Sequence, residues 1–181
     1  EGLSSGPKTI LKWAEEKGLA HQFGALTDLV EIQIGYEKAF EVWLGENLQS
    51  LYCSHTTSAS SALDFLKQSN EGKASIFLPS GEQDRVEVHS VKEKIEASGA
   101  NVLGTLDQFV TVRSNQGELK HLLSQVVLVE ALSETQIESI LSFARKSRVS
   151  VVTKNGLGLS DQGILRGGAS ESDRDSSLLG R

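Results

Sequence analysis

A nine-residue stretch returns in this chain. Residues 24–32 (GALTDLVEI) align with residues 104–112 (GTLDQFVTV) at an offset of 80, with Gly24/Gly104, Leu26/Leu106 and Val30/Val110 identical. Three identities in nine carry little alone, but the order of elements around them repeats too. In the first half, strand-forming residues 23–32 precede a helical stripe of Tyr36, Ala39, Phe40, Trp43 and Leu44, closed by Gly45. Residues 48–53 (LQSLYC) then read as a buried strand. Thr57 or Ser58 can cap a helix bearing Ala59, Ala62, Leu63 and Leu66, and residues 74–79 (ASIFLP) read as a strand ended by Pro79. In the second half, residues 104–112 precede a short helix with Leu119, Leu122 and Leu123, then the strand VVLVE (126–130). Ser133 and Gln136 form a capping box before Ile137, Ile140, Leu141 and Ala144, and VSVVT (149–153) is the closing strand. Each half is therefore strand, helix, strand, helix, strand. The fold class this predicts is mixed α/β, with two related lobes in tandem.

The segments outside the repeat define the boundaries. Residues 1–18 carry a first helix, with Pro7 at its start, Ile10, Leu11 and Ala14 on one face and Gly18 as its stop. The lobes span 19–80 and 102–168. The polar connector between them, 81–101, holds one helix at roughly 90–98. After the second lobe, Asn155-Gly156 signals a type I′ hairpin turn, and Leu157, Leu159 and Ile164 are spaced for an extended segment. Residues 169–181 are mostly polar.

Composition excludes several classes. No apolar run approaches the roughly 20 residues of a membrane-spanning helix, and no basic segment followed by an apolar one marks a secretory signal. The chain contains no Met, which reads as a piece excised from something longer. Its single cysteine, Cys53, suits a reducing intracellular setting. The net charge of −6 works against non-specific nucleic-acid binding by the whole surface. Residues 136–181, however, hold seven basic side chains against five acidic ones. Solvated helix ends explain that excess; a local DNA-contacting patch of Arg145, Lys146, Arg148, Lys154 and Arg166 is the sharper alternative.

Chemical motifs fail on inspection. ILRGGAS (164–170) resembles an ATPase signature and VVLVE a Walker B strand, but the order is wrong and no G-x-x-x-x-G-K-[ST] loop exists to cradle phosphates. GLSSG (2–6) has nucleophile-elbow spacing without a preceding strand, and reads as a flexible approach to the first helix. Cys53 and His55 could form a thiol–imidazole pair, but a buried Cys acting as a small hydrophobe is commoner. His21, His55, His89 and His121 lack metal-ligand spacing. Asp28 and Glu31 read as loop or strand-face carboxylates, and Trp43 as core. The sequence indicates no catalytic residue, no metal and no cofactor.

Three blocks carry a resemblance: GYEKAFEVWLGENLQSLYC (35–53), ALDFLKQSNEGKASIFLP (62–79) and VSVVTKNG…GILRGG (149–168). With EGLSSGPKTILKW at one end and SLLGR at the other, they make the chain similar to the hinge domain of SMC (structural maintenance of chromosomes) proteins of the bacterial homodimeric kind. The resemblance implies a two-fold dimer shaped like a small ring, with strands of one C-terminal lobe pairing with the partner's N-terminal lobe. It implies that residues 1–18 lead in from one coiled coil and 169–181 lead out to the other. It places Gly163, Gly167 and Gly168, with Ile164 and Leu165, at the subunit contact. A strand meeting another backbone closely leaves no room for Cβ, which is a physical reason for glycine there.

The resemblance also implies a parent ATPase whose heads lie outside this chain and bind accessory subunits, a cytoplasmic, nucleoid-associated location, and weak non-specific DNA contact at the hinge. Two rival classes stand beside it: a small-molecule-binding α/β domain, and a monomeric DNA-binding module.

Overall fold

The computed structural model describes residues 2–79, 88–113 and 117–168. In chain order the elements are α1 (Ser5–Glu16), β1 (Phe23–Ala25), β2 (Val30–Ile32), α2 (Glu37–Leu44), β3 (Leu51–Cys53), α3 (Thr56–Ser69) and β4 (Ile76–Phe77). There follow α4 (Val88–Ala97), β5 (Val102–Thr105), β6 (Val110–Val112), α5 (Gly117–Ser124), β7 (Val126–Val129), α6 (Glu134–Ser147), β8 (Ser150–Thr153), β9 (Gly158–Leu159) and β10 (Leu165–Arg166). The mixed α/β class expected from the sequence is the one observed.

The chain divides into two compact units, each discontinuous in sequence. One comprises residues 1–31, 46–83 and 112–119; the other comprises 32–45, 84–111 and 120–181. The segments that leave their own half, 32–45 and 112–119, both begin at equivalent positions of the repeat, since 32 and 112 differ by the same 80 residues.

In the first unit β3 lies between β1 and β4, antiparallel to β1 and parallel to β4, with α3 as the crossover. Its core joins Ile10, Trp13 and Ala14 of α1 to Leu51, Ala62 and Leu66. Trp13 meets Phe23 edge-on at 6.1 Å and stacks on Phe65 at 6.0 Å. The helix α1 ends as expected at Gly18, whose φ of +72° lets its N–H reach Glu15 O while Leu19 N–H reaches Ala14 O. GLSSG is no flexible approach. Ser5 and Gly6 are already helical and Gly6 is buried, because Gly6 packs against the backbone of Lys73.

The second unit repeats the pattern and extends it. Here β7 lies between β5 (antiparallel) and β8 (parallel), with α6 as crossover, and β9 and β10 continue the sheet to five strands in the order β10-β9-β8-β7-β5. Alternation along the strands gives the sheet two covered faces. Val127, Val129, Val151 and Leu159 pack with Val91 and Ile95 of α4 and Ile140 and Ala144 of α6. On the opposite face α2 comes so close to β9 that a Cβ on Gly158 would stand 3.1 Å from Val42 Cγ2. Trp43 of α2 is half-buried rather than enclosed in the core.

Several elements are shorter than their apolar content suggested. Residues 23–32 and 104–112 are each two short strands separated by a 3-10 turn, at Leu26–Leu29 and Leu106–Gln108. The repeat survives in backbone bonding. Gln33 N–H donates to Phe109 O at 2.9 Å in the second unit, and Arg113 N–H to Leu29 O at 2.7 Å in the first, the same bond under the offset of 80. Of residues 48–53 only Leu51–Cys53 is strand, because a 3-10 turn takes Gly45–Gln49. Of residues 74–79 only Ile76–Phe77 is strand. The N-cap of α3 is His55, without a side-chain cap, in place of Thr57 or Ser58. The capping box of α6 forms as expected: Ser133 Oγ accepts from Gln136 N–H at 3.3 Å, and Gln136 Oε1 accepts from Ser133 N–H at 2.8 Å.

Candidate dimerisation edge

Two consecutive hairpins build the end of the five-stranded sheet, and they share one construction. In the first, Thr153 N–H donates to Leu157 O at 2.8 Å and Gly156 N–H returns to Thr153 O at 3.2 Å. In the second, Ser160 N–H donates to Ile164 O at 2.9 Å and Gly163 N–H returns to Ser160 O at 2.9 Å. In both, the opening hydroxyl also accepts the amide four residues on: Leu157 N–H to Thr153 Oγ1 at 2.9 Å and Ile164 N–H to Ser160 Oγ at 3.0 Å. Each loop closes on a left-handed glycine, Gly156 at φ +97° and Gly163 at +83°. The Asn155-Gly156 turn is therefore not type I′. Asn155 does not take positive φ, and a three-residue loop with one left-handed glycine replaces the two-residue turn.

The second hairpin delivers β10 to the end of the sheet, antiparallel to β9 through two residue pairs, Leu165 with Leu159 and Arg166 with Gly158. Ile164 is 46% exposed and Leu165 52%. Leu165 lies across from buried Leu159, on the α4/α6 face. Arg166 therefore takes the α2 face, where its guanidinium stands against Gly45, the C-cap of α2 at φ +55°. A cation there complements the carbonyl end of the helix.

The glycines named from the sequence have reasons within the chain. Gly163 is called for by its φ of +83°; a Cβ there would fall 2.0 Å from Arg145 Nη2, the movable end of a long side chain, and would displace it. Gly167 faces Leu157 Cδ1, 3.3 Å from where its Cβ would be. Gly168 meets nothing within 4 Å, and its φ of +110° is the reason for glycine. Backbone conformation alone calls for glycine at Gly163 and Gly168, whereas Gly167 has no left-handed φ and faces only a movable side chain.

The five cations considered for DNA contact do not share one environment. Arg145 donates from Nη2 to Gln162 O at 3.2 Å. Lys154 sits 5.0 Å over the ring of Tyr36, which itself stacks on Phe109 at 4.2 Å. Arg166 is half-buried against Gly45. Arg145, Lys146 and Arg148 are exposed at the end of α6, where Arg148 takes the left-handed conformation at φ +56°. Sequence reasoning missed the clasp of Arg145 on Gly163 and that of Arg166 on Gly45, since neither pair leaves a local pattern.

Cys53 and His55 form no catalytic pair. The fully buried thiol donates to the His55 carbonyl at 3.2 Å, while His55 Nδ1 lies 2.8 Å from Ser54 Oγ. Burial pushes the Cys53 thiol above its ordinary value, which makes it a poor nucleophile. Among the described residues no group of His, Cys, Asp or Glu could hold a metal ion, and no helix is long and apolar enough to cross a membrane.

A sheet of this order, preceded by a smaller three-stranded copy of its first half, defines a class, and the chain's relatives identify it. The family described as the SMC proteins Flexible Hinge Domain matches residues 19–139. The chain belongs to the SMC hinge family. It is 31% identical over 177 residues to the chromosome partition protein Smc of Lactiplantibacillus plantarum, and 29% identical over 182 residues to that of Bacillus subtilis. It covers 97% and 99% of itself in these matches but only 14% and 15% of those proteins, so it spans about a seventh of the relatives' length. Among solved structures it resembles the Geobacillus stearothermophilus SMC hinge domain, described as an asymmetric dimer, with a TM-score of 0.74 and 22% identity over 99% of this chain and 73% of that one. The Pyrococcus furiosus SMC hinge domain gives a TM-score of 0.62 and 19% identity over 93% and 91%. These likenesses establish the fold.

Proposed function

We propose that this chain dimerises with an identical copy and so joins the two coiled-coil arms of a chromosome-partitioning SMC protein. The observation that carries this reading is β10. It is a terminal strand of two residues, with Leu165 and the preceding Ile164 exposed, and among the described residues nothing pairs with its outer edge. An unpaired edge leaves N–H and C=O groups for another chain, and since β10 offers only two residues of it the apolar Ile164 and Leu165 must supply much of the contact. The first unit offers a match, since β4 is also a terminal strand and is followed by Leu78, 39% exposed. In a two-fold dimer, β10 of each copy meets β4 of the other, so the contact is made twice and every such edge is covered. Gly167 and Gly168, which follow β10, keep the approach free of side chains. A stable contact of this kind buries about 1,200–2,000 Å².

In the same proposal residues 1–18 lead in from one arm, 19–80 and 102–168 are the hinge lobes joined by 81–101, with 32–45 and 112–119 each packed in the unit of the other lobe, and 169–181 lead out; residues 1, 80–87, 114–116 and 169–181 lie outside the described residues. The chain does no bond chemistry, and ATP hydrolysis and the binding of accessory subunits belong to heads elsewhere in the parent. Weak DNA contact is proposed for the five cations Arg145, Lys146, Arg148, Lys154 and Arg166, of which Arg145, Lys146 and Arg148, at the end of α6, are exposed. Its retention on DNA should fall steeply between low and moderate salt.

Sedimentation equilibrium tests the dimer. The wild-type chain should be a dimer at micromolar concentration and Leu165→Asp a folded monomer with unchanged helical circular dichroism. A dimer that Leu165→Asp leaves intact removes β10 from the contact.

A further inference from the structure

The second hairpin differs from the first in one respect. Both have the same five-residue bonding pattern, but only Gly163 is overlaid by a guanidinium. Every loop amide of the second hairpin is already satisfied. Asp161 N–H goes to Ser150 Oγ at 3.2 Å, Gln162 N–H to Ser160 Oγ at 3.2 Å, and Gly163 and Ile164 N–H to Ser160. The Gln162 carbonyl, at the tip, accepts from Arg145 Nη2 across 17 positions of sequence. The strand beyond this loop is held by two residue pairs on one side only, and a pairing so short is marginal by itself.

We propose that Arg145 is a positioning residue for dimerisation: from the last turn of α6 it fastens the tip of the β9–β10 hairpin, so that β10 is already extended when the second copy arrives. This rests on the hinge reading above. The bond is charge-assisted, and the missing Cβ of Gly163 is what lets the planar guanidinium lie on the loop. A strand ordered beforehand does not lose its conformational freedom on association, so the effect appears in dimer affinity. Arg145 thereby acts within its own chain, a role distinct from contact with DNA.

The test uses the full chain and two readouts, amide hydrogen exchange and sedimentation equilibrium, on the wild type, Arg145→Ala, Arg145→Lys and Gly163→Ala. In Arg145→Ala, exchange at Ser160, Gly163 and Ile164 should accelerate about two- to tenfold, with the β7 and β8 amides unchanged, and the dimer dissociation constant should rise by a similar factor. Arg145→Lys should not restore either, since an ammonium lacks the flat fork. Gly163→Ala should loosen the same three amides by displacing the guanidinium. Combined with Arg145→Ala, it should weaken the dimer by less than the product of the separate effects. Unchanged exchange at the three amides overturns the proposal, and so does faster exchange with an unaltered dimer. A wild-type chain that is monomeric before any substitution overturns the hinge reading itself, and the two failures are thereby told apart.

Discussion

Gly6 in the first turn of α1 lies against the carbonyl of Lys73, so closely that a Cβ would stand 2.0 Å from that oxygen and 2.7 Å from its carbon. Both atoms are backbone and cannot swing aside. Gly6→Ala should therefore destabilise the first unit by about 1–3 kcal/mol, the cost of overpacking. Gly24→Ala, where nothing lies within 4 Å, should cost far less. Urea denaturation of both variants reads the difference directly.

Ser133 caps α6, the helix that packs on the larger sheet and carries Arg145. Ser133→Ala removes the acceptor for Gln136 N–H and should cost about 0.5–2 kcal/mol. Thermal unfolding monitored at 222 nm should record the lower midpoint.

Arg148 ends the same helix in the left-handed conformation, with Val149 N–H donating to Ala144 O at 3.0 Å. A side chain is strained there, by about 1–2 kcal/mol. Arg148→Gly should leave stability unchanged or raise it by up to about 1 kcal/mol, a small gain because glycine also loosens the unfolded chain. A clear loss of stability would mean that the Arg148 side chain contributes more than its backbone costs.

The Cys53 thiol is pushed upward by burial, so the unfolded chain releases its proton at lower pH than the folded one. Stability should accordingly fall as pH rises above the ordinary thiol value of 9.0 toward the higher folded value, and this component should be missing in Cys53→Ala. Below that range the thiol is protonated in both states and contributes no pH dependence. Reaction with a maleimide at neutral pH should be slow in the folded chain and fast after unfolding in urea.

Much of the fold was legible where the signal is local. The α2 stripe, the Ser133/Gln136 box and the run VVLV each specify their element from a few neighbouring residues. The segments 23–32 and 104–112 were harder. Leu26, Leu29 and Val30 have the composition of one strand, but Leu26 N–H is drawn to Ser50 O, and the backbone turns there. Residues 32–45 have a plain helical signature, yet nothing local says that they join the sheet of the other half. The site divides the same way. Gly163 was recognisable as a special position, but its neighbour Arg145 lies 18 residues upstream on a helix, and Gly45 and Arg166 lie still further apart. Such contacts depend on how elements pack, a property that residue spacing does not encode.

The pairing of β10 with the β4 of a second copy is most directly tested by cross-linking a chain that carries Leu78→Cys and Leu165→Cys with a short bismaleimide; buried Cys53 does not compete. The double variant should yield a covalent dimer and each single variant a monomer on a denaturing gel. A covalent dimer from Leu165→Cys alone, or no covalent dimer from the double variant, would contradict the account.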